Sequence, residues 1–328
     1  MNTEKPTLKT VYGPHPSRCY GKVVYIDPVL PPKKCPYDCV FCPLGKSVVK
    51  TRKPSIHVVS KQIVDDLKEF IEDNMVKFDK IIIWGYGDPL LNYQIPVIIS
   101  NVKEFLEKNG YKSKILIKTS GLLLLENWVL PLYELVDEII LQLSIPGTLW
   151  RAYHNPPQDI KFHELIKRLA MIDKRYRKKI SIELILFKIN TFKNFDEQVL
   201  LELITAYKRI GVNKVYVSTI DRPPTNSNVK PVHGKILLKV NAKLVDEGFN
   251  TTICSYSSTR GKSIKNTTKW LYNHLLRIPL STREIVDIYG DQGITVLDRF
   301  INDKMVEKIN WEHQIYFKIK QQVLMIPR

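Results

Sequence analysis

Apolar, β-branched segments alternate with amphipathic segments along most of the first 250 residues, and this alternation limits the folds open to the chain. The segments between the apolar runs show the periodicity of amphipathic helices. In the segment from Ser60 to about Asn74, for example, Ile63 and Leu67 share one face. Such strands, joined by helices, form parallel βα units. Six units are too few for a closed eight-stranded barrel, so an open partial barrel and a doubly wound sheet remain. The predicted strands lie at about residues 23–26, 80–84, 114–118, 138–143, 180–187 and 214–218.

Three of the five cysteines lie within eight positions, at Cys35, Cys39 and Cys42. This spacing places three thiolates in one short loop, one fewer than the four ligands of a structural zinc site or an iron–sulfur cube. A cube bound here would keep one iron free for a ligand from outside the protein. A zinc site completed by a residue such as His15 is the alternative.

The cysteine spacing, together with Phe41, resembles the signature of the radical S-adenosylmethionine (radical SAM) enzymes. The resemblance implies a 4Fe–4S cluster on the three cysteines, with S-adenosylmethionine on the fourth iron. It implies reductive cleavage to a 5′-deoxyadenosyl radical that abstracts hydrogen from a substrate, fed by a ferredoxin- or flavodoxin-type electron donor. It also implies that Phe41 lies against the adenine and that the fold is an open six-stranded (βα)6 partial barrel. The cofactors then carry the difficult chemistry, and no general base or nucleophile stands out in the sequence.

A glycine-rich turn follows the second predicted strand. Ligands of parallel α/β folds bind at the carboxyl ends of the strands, and Gly85, Gly87 and Asp88 lie at such an end. The glycines permit close approach of the backbone to a ligand, and Asp88 offers an acceptor. The resemblance implies that this turn binds the methionine amine; a plain βα turn is the alternative.

Polar residues also mark the later strands. By the same resemblance we expect Ser120, Ser144 and Ser218, which follow or end the third, fourth and sixth strands, to contact the cofactor. Glu183 lies inside the apolar fifth strand, where an unpaired carboxylate is costly. Either it meets a ligand hydroxyl or amine inside the barrel, or it pairs with a lysine such as Lys118.

Further motifs resemble a largely uncharacterised radical SAM subgroup related to the tRNA wyosine-base synthases. Those synthases hold a second cluster on upstream cysteines, but only Cys19 lies there, so no second cluster is expected. Their reaction is therefore not carried over, and the substrate stays open among tRNA or another RNA, a small molecule, a lipid precursor and a peptide. The motifs are Gly13-Pro-x-Pro-Ser-Arg18, Cys42-Pro-Leu-Gly45, Asn155-Pro-Pro157 and Arg222-Pro-Pro224.

The charge balance favours a polyanionic partner. The chain has 50 Lys and Arg against 33 Asp and Glu, a net +17, and residues 1–60 hold ten basic against three acidic residues. A second basic run covers residues 174–179, for which a solvated helix end is the alternative. A non-catalytic, metal-stapled nucleic-acid-binding protein is therefore the alternative to an enzyme.

The composition fits a cytoplasmic protein. No apolar run is long enough to span a bilayer, and the first ten residues are too polar for a signal peptide. Five cysteines without a framework spacing argue against disulfides. Cys19 and Cys254 are each expected to be a small packed residue.

The C-terminal part differs in kind. We expect a barrel domain over residues 1–250, a Ser/Thr-rich basic linker over 251–268 and a small domain over 269–328. A helix capped by Ser281 and Glu284, a turn at Gly290, a second helix and a hairpin resemble a winged helix. The second helix is not strongly basic, which favours a docking role over DNA reading.

Overall fold

A computed structural model of the chain describes residues 6–74, 77–255 and 265–320. The strands are β1 (Val11–Ser17), β2 (Gly21–Ile26), β3 (Lys34–Cys35), β4 (Val49–Lys50), β5 (Lys80–Ile83), β6 (Lys114–Thr119), β7 (Glu138–Gln142), β8 (Ile180–Leu186), β9 (Lys188–Ile189), β10 (Phe192–Lys193), β11 (Lys214–Thr219), β12 (Val229–Lys230), β13 (Asn250–Ile253), β14 (Leu280–Ser281), β15 (Val306–Trp311) and β16 (Gln314–Ile319). The helices are α1 (Ser60–Asn74), α2 (Ile95–Lys108), α3 (Leu132–Leu135), α4 (Leu149–His154), α5 (Phe162–Leu169), α6 (Lys174–Arg177), α7 (Glu197–Ile210), α8 (Gly234–Asp246), α9 (Thr267–Arg277) and α10 (Thr282–Asn302). Single turns of 3-10 helix lie at Pro89–Leu91 and Asn127–Val129.

One open, curled sheet of eight strands carries the fold, in the order β1-β2-β5-β6-β7-β8-β11-β13. The strands from β2 to β13 are parallel, and β1 pairs antiparallel with β2. The α/β partial barrel expected from the sequence is confirmed. Its six predicted strands form the middle of the sheet.

The two edge strands were missed, for different reasons. β13 contains a single apolar residue, Ile253, and lacks the apolar run of its neighbours. β1 contains a glycine and two prolines, which predict a turn; prolines are tolerated there because an edge strand leaves one side unpaired.

Curling of the sheet brings its two edges together at Cys19 and Cys254. Cys19 lies in the turn between β1 and β2, and Cys254 follows β13; the two form a disulfide across 235 residues of sequence. The expectation that each is an isolated packed residue, and that the chain contains no disulfide, is therefore wrong. Sequence spacing could not reveal the pair, because only the curvature of the sheet brings the residues together.

The C-terminal elements are a helix, a pair of helical segments joined at Gly290 and a hairpin, in the order in which the sequence predicted two helices around a turn at Gly290 and then a hairpin. α10 is bent at Gly290, whose φ of 64° lies in the left-handed region. The Ser281–Glu284 capping box is present, and β14 pairs with β16 as a strand that the sequence did not predict. Residues 251–253 of the predicted linker belong to β13, whereas 256–264 and 321–328 lie outside the described residues. The winged-helix assignment and the domain boundaries stay predictions.

The C-terminal elements pack directly on the barrel. Arg277, the last residue of α9, pairs with Asp27 at the end of β2 at 2.9 Å, and both side chains are fully buried. Tyr86 donates its hydroxyl to the carbonyl of Leu276 at 2.6 Å. These buried contacts join α9 to the segments that follow β2 and β5.

Candidate active site

A cavity opens at the carboxyl edge of the sheet, where the sequence predicted a ligand site. Its lining includes nine of the predicted residues, among side chains from six strand ends. Two predicted residues, Gly85 and Ser144, do not line it. The nine are Cys35, Phe41, Cys39, Cys42, Gly87, Asp88, Ser120, Glu183 and Ser218.

The cysteine loop is clamped from two sides by backbone hydrogen bonds. On one side, Asp38 and Val40 donate their amides to the carbonyls of His154 and Tyr153, both at 3.0 Å. These carbonyls lie at the end of α4, immediately before the Asn155-Pro-Pro157 motif. The end of α4 therefore positions the loop.

On the other side, the segment after Arg222-Pro-Pro224 holds the third cysteine. Thr225 donates its amide and its hydroxyl to the carbonyl of Cys42, at 2.9 and 2.7 Å. Asn226 donates its amide to the carbonyl of Val40 at 2.9 Å. Residues that flank two of the four motifs singled out from the sequence thus hold the cysteine loop.

Two buried lysines complete the support. Lys33 places its Nζ 3.3 Å from the sulfur of Cys42 and donates to the carbonyl of Gly45 at 2.6 Å. Lys318, from β16, donates to the carbonyl of Pro43 at 2.9 Å. Burial lowers the pKa of Lys33, but Cys42, Cys35 and Cys39 together outweigh burial, so the pKa of Lys33 is raised. Lys33 is therefore a cation beside the sulfurs.

The thiols are poised to bind a positively charged centre. Burial raises the pKa of Cys35 to about 12, and it raises the pKa of Cys39 well above its ordinary value, with Cys35 and Cys42 adding to the effect. Thiolates form here only when a cation compensates them, as a coordinated metal does. Three soft sulfur donors lining one open cavity therefore fit a cluster that leaves a position for an outside ligand.

A single zinc ion fits less well. Within the described ranges, no three or more His, Cys, Asp or Glu residues are grouped so that they could hold one metal ion. Both ring nitrogens of His15 have other partners: Nδ1 lies 3.2 Å from Nε2 of His274, and Nε2 lies 3.3 Å from Nη2 of Arg222. The zinc alternative with His15 as the fourth ligand has no support in this geometry.

The glycines of the turn after β5 allow close packing. A Cβ on Gly87, whose φ is 143°, would lie 1.6 Å from the carbonyl oxygen of Lys34, just before Cys35. A Cβ on Gly85 would lie 2.1 Å from the carboxyl carbon of Asp27. Gly87 therefore lets this turn contact the cysteine loop at the cavity, whereas Gly85 makes room for a buried carboxylate behind it.

Asp88 joins two strand ends. Its carboxylate accepts hydrogen bonds from the amide and the hydroxyl of Ser120, from the hydroxyl of Thr119 and from the amide of Leu90. Burial raises its pKa, and these hydrogen bonds oppose the shift. Because its acceptor capacity is largely used, Asp88 fixes the position of Ser120 at the cavity wall.

Glu183 has the lysine partner that the sequence left open. Lys118 lies 2.6 Å from Oε2, Gln142 donates to the same oxygen at 3.1 Å, and the hydroxyl of Tyr20 lies 3.4 Å from Oε1. The carboxylate is 5% exposed and lines the cavity. The pair offers a cation and an anion side by side to any ligand in the cavity.

The two remaining serines differ in exposure to the cavity. Ser144 is fully buried, and its hydroxyl accepts the amide of Ile185 at 2.9 Å, so it links β7 to β8. Ser218 lines the cavity and donates to the carbonyl of Leu184 at 3.4 Å.

Sequence reasoning missed His154. Its Nδ1 lies 3.2 Å from the sulfur of Cys39, and the ring is fully buried. Burial lowers its pKa to about 3, so the imidazole is neutral. The only signal in the sequence was its position next to the Asn155-Pro-Pro157 motif.

Comparison with known proteins agrees with this geometry. Residues 29–148, which contain all three clustered cysteines and the Gly85–Asp88 turn, match the sequence model described as the Radical SAM superfamily. This segment is therefore similar to the radical SAM superfamily.

Relatives cover nearly the whole chain. A UPF0026 protein of Helicobacter pylori is 26% identical over 93% of this chain and 96% of its own length. A UPF0026 protein of Methanocaldococcus jannaschii is 24% identical over 94% of this chain and 96% of its own length. Among solved structures, a radical SAM methyltransferase from Sphaerobacter thermophilus aligns with a TM-score of 0.47 and 14% identity, over 70% of this chain and 65% of its own. None of the helices described here is both long and apolar enough to cross a membrane.

Proposed function

We propose that this chain is a radical SAM enzyme that binds a 4Fe–4S cluster through Cys35, Cys39 and Cys42 and cleaves S-adenosylmethionine reductively. The observation that carries the proposal is the placement of three clamped thiols in the wall of one cavity at the carboxyl edge of the sheet. Gly87 and Ser120 line the same cavity, and they are proposed to contact S-adenosylmethionine. We assign the chain to the subgroup related to the tRNA wyosine-base synthases, on the proline motifs whose flanking residues hold the cysteine loop.

When bound, the cluster and S-adenosylmethionine supply a reductively generated radical that abstracts hydrogen from a substrate. The chain's own residues orient and shield this chemistry. Phe41 is proposed to face the adenine, and Ser218 and Glu183 to contact the cofactor from the later strands. Gly85, Asp88 and Ser144 are proposed to act by positioning, since their neighbours are other parts of the protein.

The substrate is proposed to be an RNA, with tRNA as the first candidate. The basic segment, residues 46–53, follows the cysteine loop, and its Lys46 and Lys53 are exposed without a carboxylate partner in the part of the chain that the structure describes. Arg52, in contrast, pairs with Asp159 at 2.6 Å. Exposed cations that follow the cysteine loop in the sequence suit phosphates.

The second basic run, residues 174–179, does not support RNA binding. It precedes β8, at the amino end of the strand and away from the cavity edge. Arg175 pairs with Asp173 at 3.0 Å, and Lys179 donates to the carbonyl of Tyr133 at 2.7 Å. The charges of Arg175 and Lys179 are therefore used within the fold.

Anaerobic reconstitution followed by reduction with dithionite in the presence of S-adenosylmethionine tests the enzyme. We expect 5′-deoxyadenosine from the wild-type protein and none from Cys39→Ala, which removes one of the three loop thiols. A fully loaded cluster that yields no 5′-deoxyadenosine, with an electronic spectrum unchanged by S-adenosylmethionine, would leave a metal-stapled binding protein.

Binding of total tRNA at several salt concentrations tests the substrate class. The binding constant falls as salt rises, and each lost phosphate contact should make the slope of log K against log salt less steep by about 1. The slope for Lys46→Ala/Lys53→Ala should therefore be less steep by about 2. The matched control, Lys174→Ala/Lys178→Ala, should leave the slope unchanged. Equal effects of both pairs would mean that only net charge matters, and would favour a small molecule, lipid precursor or peptide.

A further inference from the structure

His154 is held rigidly against the cysteine loop by contacts on several sides. Its carbonyl accepts the amide of Asp38, and its ring packs edge-on against Phe41 and Tyr37, with centroids 5.2 and 5.9 Å away. The next residue, Asn155, ends α4 in the left-handed region at φ 43°, and its side-chain oxygen accepts from Lys50 at 2.9 Å. The imidazole therefore has one fixed orientation relative to the sulfur that it touches.

Only one ring nitrogen of His154 has a partner. Nδ1 lies 3.2 Å from the sulfur of Cys39, whereas Nε2 is buried and has no hydrogen-bond partner among the described residues. A metal-bound thiolate of Cys39 carries no proton, so a hydrogen bond to it requires the proton on Nδ1. The neutral imidazole then leaves an acceptor at Nε2, and buried acceptors without partners are tolerated better than buried donors.

We propose that His154 is a positioning residue that donates its Nδ1–H to the Cys39 sulfur and raises the reduction potential of the bound cluster. This inference rests on the proposed function, which supplies the cluster. Reduction adds negative charge to the cluster and its sulfurs, and an N–H donor stabilises that charge; hydrogen bonds to sulfur are one of the means by which proteins set these potentials. Lys33, which lies 3.3 Å from Cys42, acts on another sulfur, so the two effects are separable.

Potentiometric titration of the reconstituted protein, followed by electron paramagnetic resonance, tests the inference. His154→Leu should bind the same amount of iron and sulfide but should have a lower reduction potential. At a fixed applied potential, each tenfold fall in the ratio of reduced to oxidised cluster corresponds to a fall of about 59 mV in that potential. His154→Asn, whose amide places a donor near the position of Nδ1, should restore most of the potential. Trp150→Phe is the matched control, because the indole nitrogen is likewise buried without a partner but does not contact a cysteine.

The outcomes separate this inference from the proposed function. A wild-type potential in fully loaded His154→Leu, or an equal shift in Trp150→Phe, would overturn the role of His154 while the cluster remains. Wild-type protein that loads no iron would instead refute the proposed function. If His154→Leu does not bind the cluster, the reduction potential of His154→Gln is compared with that of His154→Asn, because the longer glutamine side chain moves the donor away from the position of Nδ1. Equal potentials in these two variants would also overturn the role of His154.

Discussion

The buried pair between Asp27 and Arg277 should dominate the stability of the junction between the barrel and the C-terminal helices. Both side chains are fully buried, with Nε 2.9 Å from Oδ2. Arg277→Leu would leave the carboxylate of Asp27 without its counter-charge in a dry site. Removing one partner of such a pair costs about 3–5 kcal/mol, a large part of the 5–15 kcal/mol that stabilises a typical domain.

The other contacts of Asp27 place the expected loss near the lower end of that range. Its Oδ1 still accepts the amides of Val29, Leu30 and Tyr86, at 3.0, 3.1 and 3.1 Å, which partly stabilise the charge. Asp27→Asn keeps an oxygen for these amides and removes the charge. The double variant Asp27→Asn/Arg277→Leu should therefore be more stable than Arg277→Leu alone.

Urea unfolding of the apo protein, followed by tryptophan fluorescence, measures these differences. Arg52→Leu is the control, because its pair with Asp159 has side chains that are 51% and 60% exposed and is worth at most about 1 kcal/mol. A loss below about 1 kcal/mol in Arg277→Leu, or a double variant less stable than the single one, would refute the reasoning from an uncompensated buried charge.

Two further predictions follow from the site. Gly87→Ala should prevent cluster loading, because its Cβ would displace the Lys34 carbonyl next to the cysteines. Iron content measures the loading. Gly110→Ala, whose Cβ meets nothing within 4 Å, should load normally, and normal loading of Gly87→Ala would contradict the prediction. Burial lowers the pKa of His15 and of His274 well below 6.5, so the unfolded chain binds protons that the folded chain does not. Stability should be complete above pH 6.5 and should fall towards pH 5, by up to about 1.36 kcal/mol per pH unit for each imidazole. Unfolding measured at several pH values should show a shallower slope for His15→Gln, and an unchanged slope in that variant would contradict the assignment.

The sequence predicted the central fold because its signals are local. Apolar runs defined six strands, and the ends of those strands placed Ser120 and Ser218 at one edge of the sheet. Local signals also predicted the turn at Gly290 and the capping box at Ser281. Each of these depends on residues within a few positions of one another.

The contacts that it missed depend on the curvature and packing of the whole chain. Glu183 and Lys118 are 65 positions apart, so their pairing could be posed only as an alternative; the geometry, with Nζ 2.6 Å from Oε2, favours the pair. The disulfide between Cys19 and Cys254 needs both edges of the sheet in place. His154 contacts Cys39 across 115 positions, and no period or spacing in the sequence predicts such a contact.

The cysteine loop depends on residues from both ends of the chain. Lys318 holds the carbonyl of Pro43, and Arg277 holds Asp27 at the entrance to the loop. During translation, the cysteines emerge from the ribosome long before these partners do. Assembly of the iron–sulfur site should therefore await synthesis of the β15–β16 hairpin, and translation products truncated before it should contain the cysteines without the pocket that protects them.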